Sequence, residues 1–138
     1  MAKFEGKVNV REIWIVSPDL ELDAVGRTFR SVTRKNLEKG IKYTFIVPRS
    51  ELVQSRIYML EGEYKRYSAL VRIKQVPESD FRLLAVTHID IYTPNTAEAR
   101  VFLQLPVKQR GYWIELSRDD AHSLIGRFGK IAEDESLT

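Results

Sequence analysis

The chain has 138 residues, with 22 Lys and Arg against 19 Asp and Glu, a net charge of +3, and no cysteine. The length suits one domain around one hydrophobic core, and a composition 43% hydrophobic and 30% charged excludes a disordered chain. No apolar run approaches the roughly 20 residues of a membrane helix, and without cysteine there are no disulfides, thiolate nucleophiles or thiolate metal sites.

The opening residues Met1 to Lys7 include Glu5 and no apolar run, which is unlike a secretory signal, so a cytoplasmic location is the expectation. Residues 1–9 read as an N-terminal arm, 10–132 as a single α/β domain and 133–138 as a flexible acidic tail.

The first strong signal is Glu12-Ile13-Trp14-Ile15-Val16, a β-branched and aromatic run ending in Ser17-Pro18, as a buried central strand does. Val25, Phe29, Val32 and Leu37 then recur at helical spacing, and Gly40 closes the segment as a C-cap. A second strand, Ile41 to Val47, is stopped by Pro48, whose missing N–H cannot continue a central ladder. Strand, helix and strand at this spacing form a βαβ unit with parallel strands, so Pro18 and Pro48 should mark the same rim of the sheet.

Ser50 caps a second helix with Val53, Ile57, Leu60, Tyr64 and Tyr67 along its buried stripe. Four extended-looking runs follow, Leu70 to Val76, Leu83 to Tyr92, Ala99 to Val107 and Tyr112 to Leu116, which suggests a largely antiparallel second half. Ser117, followed by Asp119 and Asp120, caps a last amphipathic helix carrying Ala121, Leu124, Ile125, Phe128 and Ile131. The expected fold is α/β, a three-layer domain with a mixed sheet in the order β-α-β-α-β-β-β-β-α.

Only His88 and His122 are available for imidazole chemistry. His122 falls in the first turn of the last helix and should face solvent. The two-residue period of a strand puts Val86, His88, Asp90 and Tyr92 on one face. The plain expectation is a half-exposed strand with these groups outward. The sharper one is a polar pocket wall with Asp90 orienting the imidazole.

Asp19, Glu21 and Asp23 lie just past the carboxyl end of the first strand, where open α/β sheets place ligands. They can favour the positive end of the next helix or hold Mg²⁺, and the first is the expectation. Arg49 and Ser50 begin a helix whose free N–H groups suit a phosphate, although no glycine-rich loop accompanies them. Arg27, Arg30, Arg34, Lys35 and Lys39 crowd the first helix, as a solvated face or a contact for nucleic acid.

Ile13-Trp14-Ile15-Val16-Ser17-Pro18-Asp19-Leu20, then a helix, then Glu38 to Pro48, resembles the opening of a phospholipase D-like half-domain. Ile114-Glu115-Leu116-Ser117 with Ala121, Leu124 and Phe128 is similar to that family's last strand and helix, so the resemblance spans Val10 to Ile131. The family's His-x-Lys-x-x-x-x-Asp motif is missing: with Asp90 set on its aspartate, Leu83 stands at the histidine position and Ala85 at the lysine. The resemblance therefore implies a degenerate, non-catalytic member, and one that pairs as a homodimer.

These readings converge on a non-enzymatic ligand-binding or regulatory domain. Its site comprises Ser17, Asp19, Arg49, Ser50, His88 and Tyr92, with a small phosphorylated or anionic ligand and no cofactor, metal or membrane partner. The alternatives are nucleic-acid binding through Arg27, Arg30, Arg34 and Lys35, and a phosphodiester hydrolase or nuclease using His88.

Overall fold

Among the described residues six strands make one mixed sheet in the order β3-β2-β1-β4-β5-β6. A computed structural model describes residues 10–85, 87–104 and 113–137. The chain runs β1 (Glu12–Val16), a wide turn at Glu21–Val25, α1 (Arg27–Glu38), β2 (Lys42–Arg49), α2 (Glu51–Glu63) and a 3₁₀ segment at Lys65–Leu70. It continues through β3 (Val71–Pro77), α3 (Glu78–Leu84), β4 (Ile89–Tyr92), β5 (Arg100–Gln104), β6 (Trp113–Glu115) and α4 (Arg118–Glu133), ending in a 3₁₀ turn at Glu135–Leu137.

β1 is apolar on both faces because both are covered. Ile13 and Ile15 enter a core with Tyr43, Phe45 and Leu37 of α1, and with Val53, Ile57 and Leu60 of α2. Trp14 and Val16 enter a second core with Ile46, Ile91, Phe81 of α3 and Phe128 of α4. Helices therefore cover both faces, which gives the expected three layers.

β1 pairs with β2 in parallel, Val16 opposite Ile46, so Pro18 and Pro48 do share the carboxyl rim. Gly40 at φ 87 supplies the left-handed residue that turns α1 into β2. Pro48 does not end β2, which continues to Arg49. The Ser17 N–H bonds to the Ile46 carbonyl at 3.0 Å, so even-numbered residues of β2 turn their backbone toward β1. β1 has already ended where Pro48 faces that side, and its missing N–H breaks no ladder.

Two further differences from the sequence expectation concern the second half. β3 runs parallel to β2, making a second βαβ unit, so only β4, β5 and β6 are antiparallel. Residues 83–92 are not one extended run: Leu83 and Leu84 close α3, and the strand begins at Ile89. Pro77 followed by Glu78 and Asp80 is a helix start, with acids in the first turn. At the carboxyl end, Lys74 donates from Nζ to the Asp134 carbonyl at 3.0 Å, and Leu137 packs on the second core, so the tail lies against β3. Among the described residues no helix is long and apolar enough to cross a membrane.

The layer assignment has a direct consequence for stability. Phe128 is fully buried and Leu83 is 85% exposed. Phe128→Ala is expected to cost about 3–5 kcal/mol through lost burial and the cavity left behind, whereas Leu83→Ala should stay within about 0.5 kcal/mol. Urea unfolding of both variants checks this, and a large loss in Leu83→Ala would restore the extended reading of residues 83–85.

Candidate functional site: a buried acid–imidazole cluster at the carboxyl rim

β4 lies antiparallel to β1, with Val16 opposite Ile89 and Ile15 opposite Asp90. The next step of that register sets His88 beside Ser17, at the rim where β1 ends. The two-residue period then holds His88, Asp90 and Tyr92 on the face covered by α1 and α2. They do not form the half-exposed polar face of the plain expectation, because β1 and β5 flank β4 and helices cover it. His88 is 3% exposed, Asp90 0% and Tyr92 1%. Val86 lies outside the described residues.

The corner after β1 is built from local hydrogen bonds. Ser17 Oγ accepts from the Leu20 N–H at 2.8 Å, and Asp19 Oδ1 accepts from the Glu21 N–H at 2.9 Å. Arg56 of α2 donates from Nη1 to the Asp19 carbonyl at 2.7 Å. Leu20 adopts a left-handed φ of 57, a conformation costing about 1–2 kcal/mol for a side chain with a Cβ; its complete burial in the first core offsets that. The wide turn follows, closed by the Gly26 N–H on the Glu21 carbonyl, and it delivers Asp23 beneath α1. Asp23 is thus a buried group and not part of a solvated acidic loop.

Within this cluster His88 Nε2 lies 2.7 Å from Asp90 Oδ1, and the Tyr92 hydroxyl donates to Asp90 Oδ2 at 3.2 Å. Asp23 Oδ2 stands 3.9 Å from the same Nε2, beyond hydrogen-bond reach, and finds no hydrogen-bond partner among the described residues. Burial pushes the Asp23 carboxyl from 3.8 up to about 7; His88 opposes the rise, and the charges of Asp90 and Asp19 add to it. Tyr64 is pushed up to about 12, by burial first and then by the nearby Asp23. Over the imidazole lie Trp113 of β6, edge-on at 5.4 Å between ring centroids, and Phe29 of α1 at 6.4 Å. Arg100, paired with Glu115 through two hydrogen bonds and set over the Phe102 ring, ties β6 to β5 and so helps to hold Trp113.

The sequence-expected site residues divide into two groups. His88 and Tyr92 join one network through Asp90, with Ser17 opposite His88 on the neighbouring strand. Asp19 and Ser17 spend their side-chain acceptors on the corner, and Ser50 caps α2 by accepting from the Val53 N–H at 3.2 Å. Arg49 is exposed at the end of β2, with Nη2 3.4 Å from the Gln75 carbonyl. Arg27, Arg30, Arg34 and Lys35 line one groove on α1 with Ser31, where Arg34 is paired with Glu63. His122 is exposed, as expected. Among the described residues no three acidic or histidine side chains are grouped to hold a metal, so Asp19, Glu21 and Asp23 do not make a Mg²⁺ site. Phe29 and Trp113 carry no mark of the site in sequence, and Asp23 stands there only as one of three acids before a helix or around Mg²⁺. Asp23 carried a signal in its position beyond a central strand, but pairing it with His88 requires the sheet register.

The fold and cluster together define a three-layer α/β domain with a mixed sheet and a protonatable group buried at the carboxyl rim. No family model, curated protein or solved structure matches the chain.

The cluster sets a pH dependence. Between 3.8 and about 7 the folded chain keeps a proton on Asp23 that the unfolded chain has released. Stability from this group is therefore full below pH 4, falls as pH rises through that window, and is flat above it. Asp23→Asn removes the buried charge, so the variant should match the wild type near pH 4 and exceed it at pH 8, by an amount on the order of a few kcal/mol at most. Denaturant unfolding at both pH values measures the difference; a variant less stable at pH 8, or a gap independent of pH, contradicts the assignment.

Proposed function

We propose that this chain is a non-enzymatic ligand-binding or regulatory domain, a degenerate relative of the phospholipase D-like half-domains that acts as a homodimer. Its site is the carboxyl rim bounded by Ser17, Asp19, Arg49, Ser50 and the His88 cluster. The observation that supports a ligand most is the buried Asp23 oxygen without a hydrogen-bond partner, held beside an imidazole at the rim where sheets of this kind take their ligands. An unsatisfied buried carboxyl oxygen costs about 1–3 kcal/mol or more, a cost that a ligand or a bound proton can offset.

Two observations favour binding over catalysis. His88 is 3% exposed, with Trp113 and Phe29 against its ring, so burial keeps the imidazole from a phosphodiester at the surface. Leu83 and Ala85, which replace the family's histidine and lysine, cannot attack phosphorus or hold a phosphate.

The ligand class that suits the outer rim is a small phosphorylated or anionic molecule, because Arg49 is exposed there beside the capped first turn of α2. Asp23 in its neutral form adds no repulsion. Thermal-shift measurements with inorganic phosphate, AMP and ATP test this. A ligand present at roughly 100 times its Kd adds ~2.7 kcal/mol of stability, a rise of several degrees that Arg49→Ala should abolish. No rise with any of the three, or a rise unchanged in Arg49→Ala, removes the anionic reading. Native mass spectrometry of the same samples should show a dimer.

A second reading has its own support in the groove lined by Arg27, Arg30, Arg34 and Lys35. A polyanion laid along α1 would release counterions, with a slope of about −0.9 in log K against log salt per phosphate neutralised. Arg27→Glu together with Lys35→Glu should then weaken duplex DNA or RNA binding and flatten the slope by about 2. Wild-type protein that shows no salt-sensitive binding at low ionic strength excludes it.

A further inference from the structure

β3 is the outer strand at one end of the sheet, with no strand beyond it among the described residues. Odd-numbered residues of β2 turn their backbone toward β3, and the register sets them opposite Val71, Ile73 and Gln75. In a parallel ladder a residue opposite such a position turns its own N–H and C=O the other way. Val71, Ile73 and Gln75 therefore direct backbone groups to the open edge over ~13 Å. Of these, the Gln75 carbonyl already accepts from Arg49, so the open stretch is Val71 to Ile73.

A groove of about 780 Å³ runs beside this edge, between β3 and α2. Ile57, Leu60, Tyr64, Val71 and Ile73 give it an apolar floor, while Lys65 and Arg72 stand on its polar boundary, with Glu61 as the one acid among the described lining residues. Exposed Arg66 lies next to Lys65 in the chain. A strand edge flanked by an apolar groove and a helix is the geometry in which extended peptides add to a sheet: the edge supplies main-chain hydrogen bonds and the groove takes alternate side chains.

We infer that the β3 edge and its groove bind an extended acidic peptide segment of a partner protein, which adds as a seventh strand with every second side chain apolar and the intervening ones Asp or Glu. Charge selects this occupant. Lys65 and Arg72 outnumber Glu61 at the groove, and a two-fold pairing of β3 with a second copy would turn these cations toward one another. Arg72 and the Lys–Arg pair at 65 and 66 also keep the edge from pairing indiscriminately, since charge on an edge strand discourages neutral strands. An acidic strand meets attraction at the same positions.

The test uses the full chain and two fluorescein-labelled peptides, one alternating Asp with Val and one alternating Lys with Val, read by fluorescence polarisation. The Asp–Val peptide should bind saturably and the Lys–Val peptide should not. Arg72→Glu, at an exposed position, should weaken the Asp–Val peptide by about tenfold or more and admit the Lys–Val peptide. Ile73→Pro should abolish binding by removing an outward N–H at an edge where proline is tolerated, with far-UV circular dichroism unchanged. The proposal is overturned if the two peptides bind alike, or if Arg72→Glu leaves the Asp–Val affinity within about twofold. It is equally overturned if sedimentation shows a wild-type dimer that Ile73→Pro dissolves, which would make the edge a self-interface. Saturation of the groove by sodium decanoate while neither peptide binds would also overturn it, in favour of a small amphiphile.

Discussion

β1 holds a parallel neighbour on one side and an antiparallel one on the other, and the antiparallel register, Val16 against Ile89, is the constraint on which the rim depends. A slip of one residue would turn His88, Asp90 and Tyr92 to the opposite face, where Trp14, Val16 and Phe128 form a dry core. The register is held from both sides, since Ile89 and Ile91 must enter that core while Tyr92 must enter the other. The polar cluster is thus a consequence of apolar patterning on alternate residues. What tethers it beyond the sheet is the corner from Ser17 to Leu20, where side-chain acceptors and Arg56 fix a left-handed residue.

Much of this was legible in the residues, for identifiable physical reasons. β1, β2, the cap at Ser50, the cap at Ser117 and the stripe of the last helix rest on local patterns of branched residues, capping hydroxyls and helical spacing, and those patterns act over a few residues. The shared rim followed from the βαβ spacing alone. β3 was located but its direction was not, because the run Val71 to Val76 reads the same in a parallel or an antiparallel pair. Its Lys74 also gave no hint of burial, which rests on a carbonyl 60 positions further along the chain. The helix at Glu78–Leu84 is a different matter. Its start was written in Pro77, Glu78 and Asp80, and the apolar pair Leu83-Leu84 was read as strand although Leu83 faces solvent.

The candidate site was half legible. Period-2 placement of His88, Asp90 and Tyr92 on one face held, but exposure did not, because whether a strand face is wet depends on what α1 and α2 bring over it. Asp23 shows the same limit more sharply. In sequence it is one of three acids before a helix, and dipole arguments treat the three alike. In the fold Asp19 bonds to backbone at the corner, while the wide turn carries Asp23 into the interior, 3.9 Å from the imidazole. The corner and the wide turn together separate a carboxylate bonded to backbone from a buried one whose proton is retained toward neutrality.

The two ends of the sheet consequently have different chemical characters. At the β4–β6 end, polar side chains point inward and are covered by aromatic rings, so any response there involves the cluster's protons and the packing of Phe29 and Trp113. At the β3 end the side chains on the groove are apolar while the backbone is open, so recognition there would be through main-chain hydrogen bonds framed by cations. β1 and β2 join these ends as a rigid, doubly buried pair, and α2 touches both: Arg56 fixes the corner that leads to Asp23, and Ile57 and Leu60 floor the groove. A shift of α2 would therefore be felt at both ends, because Arg56 and Ile57 are adjacent on one rigid helix and cannot move independently.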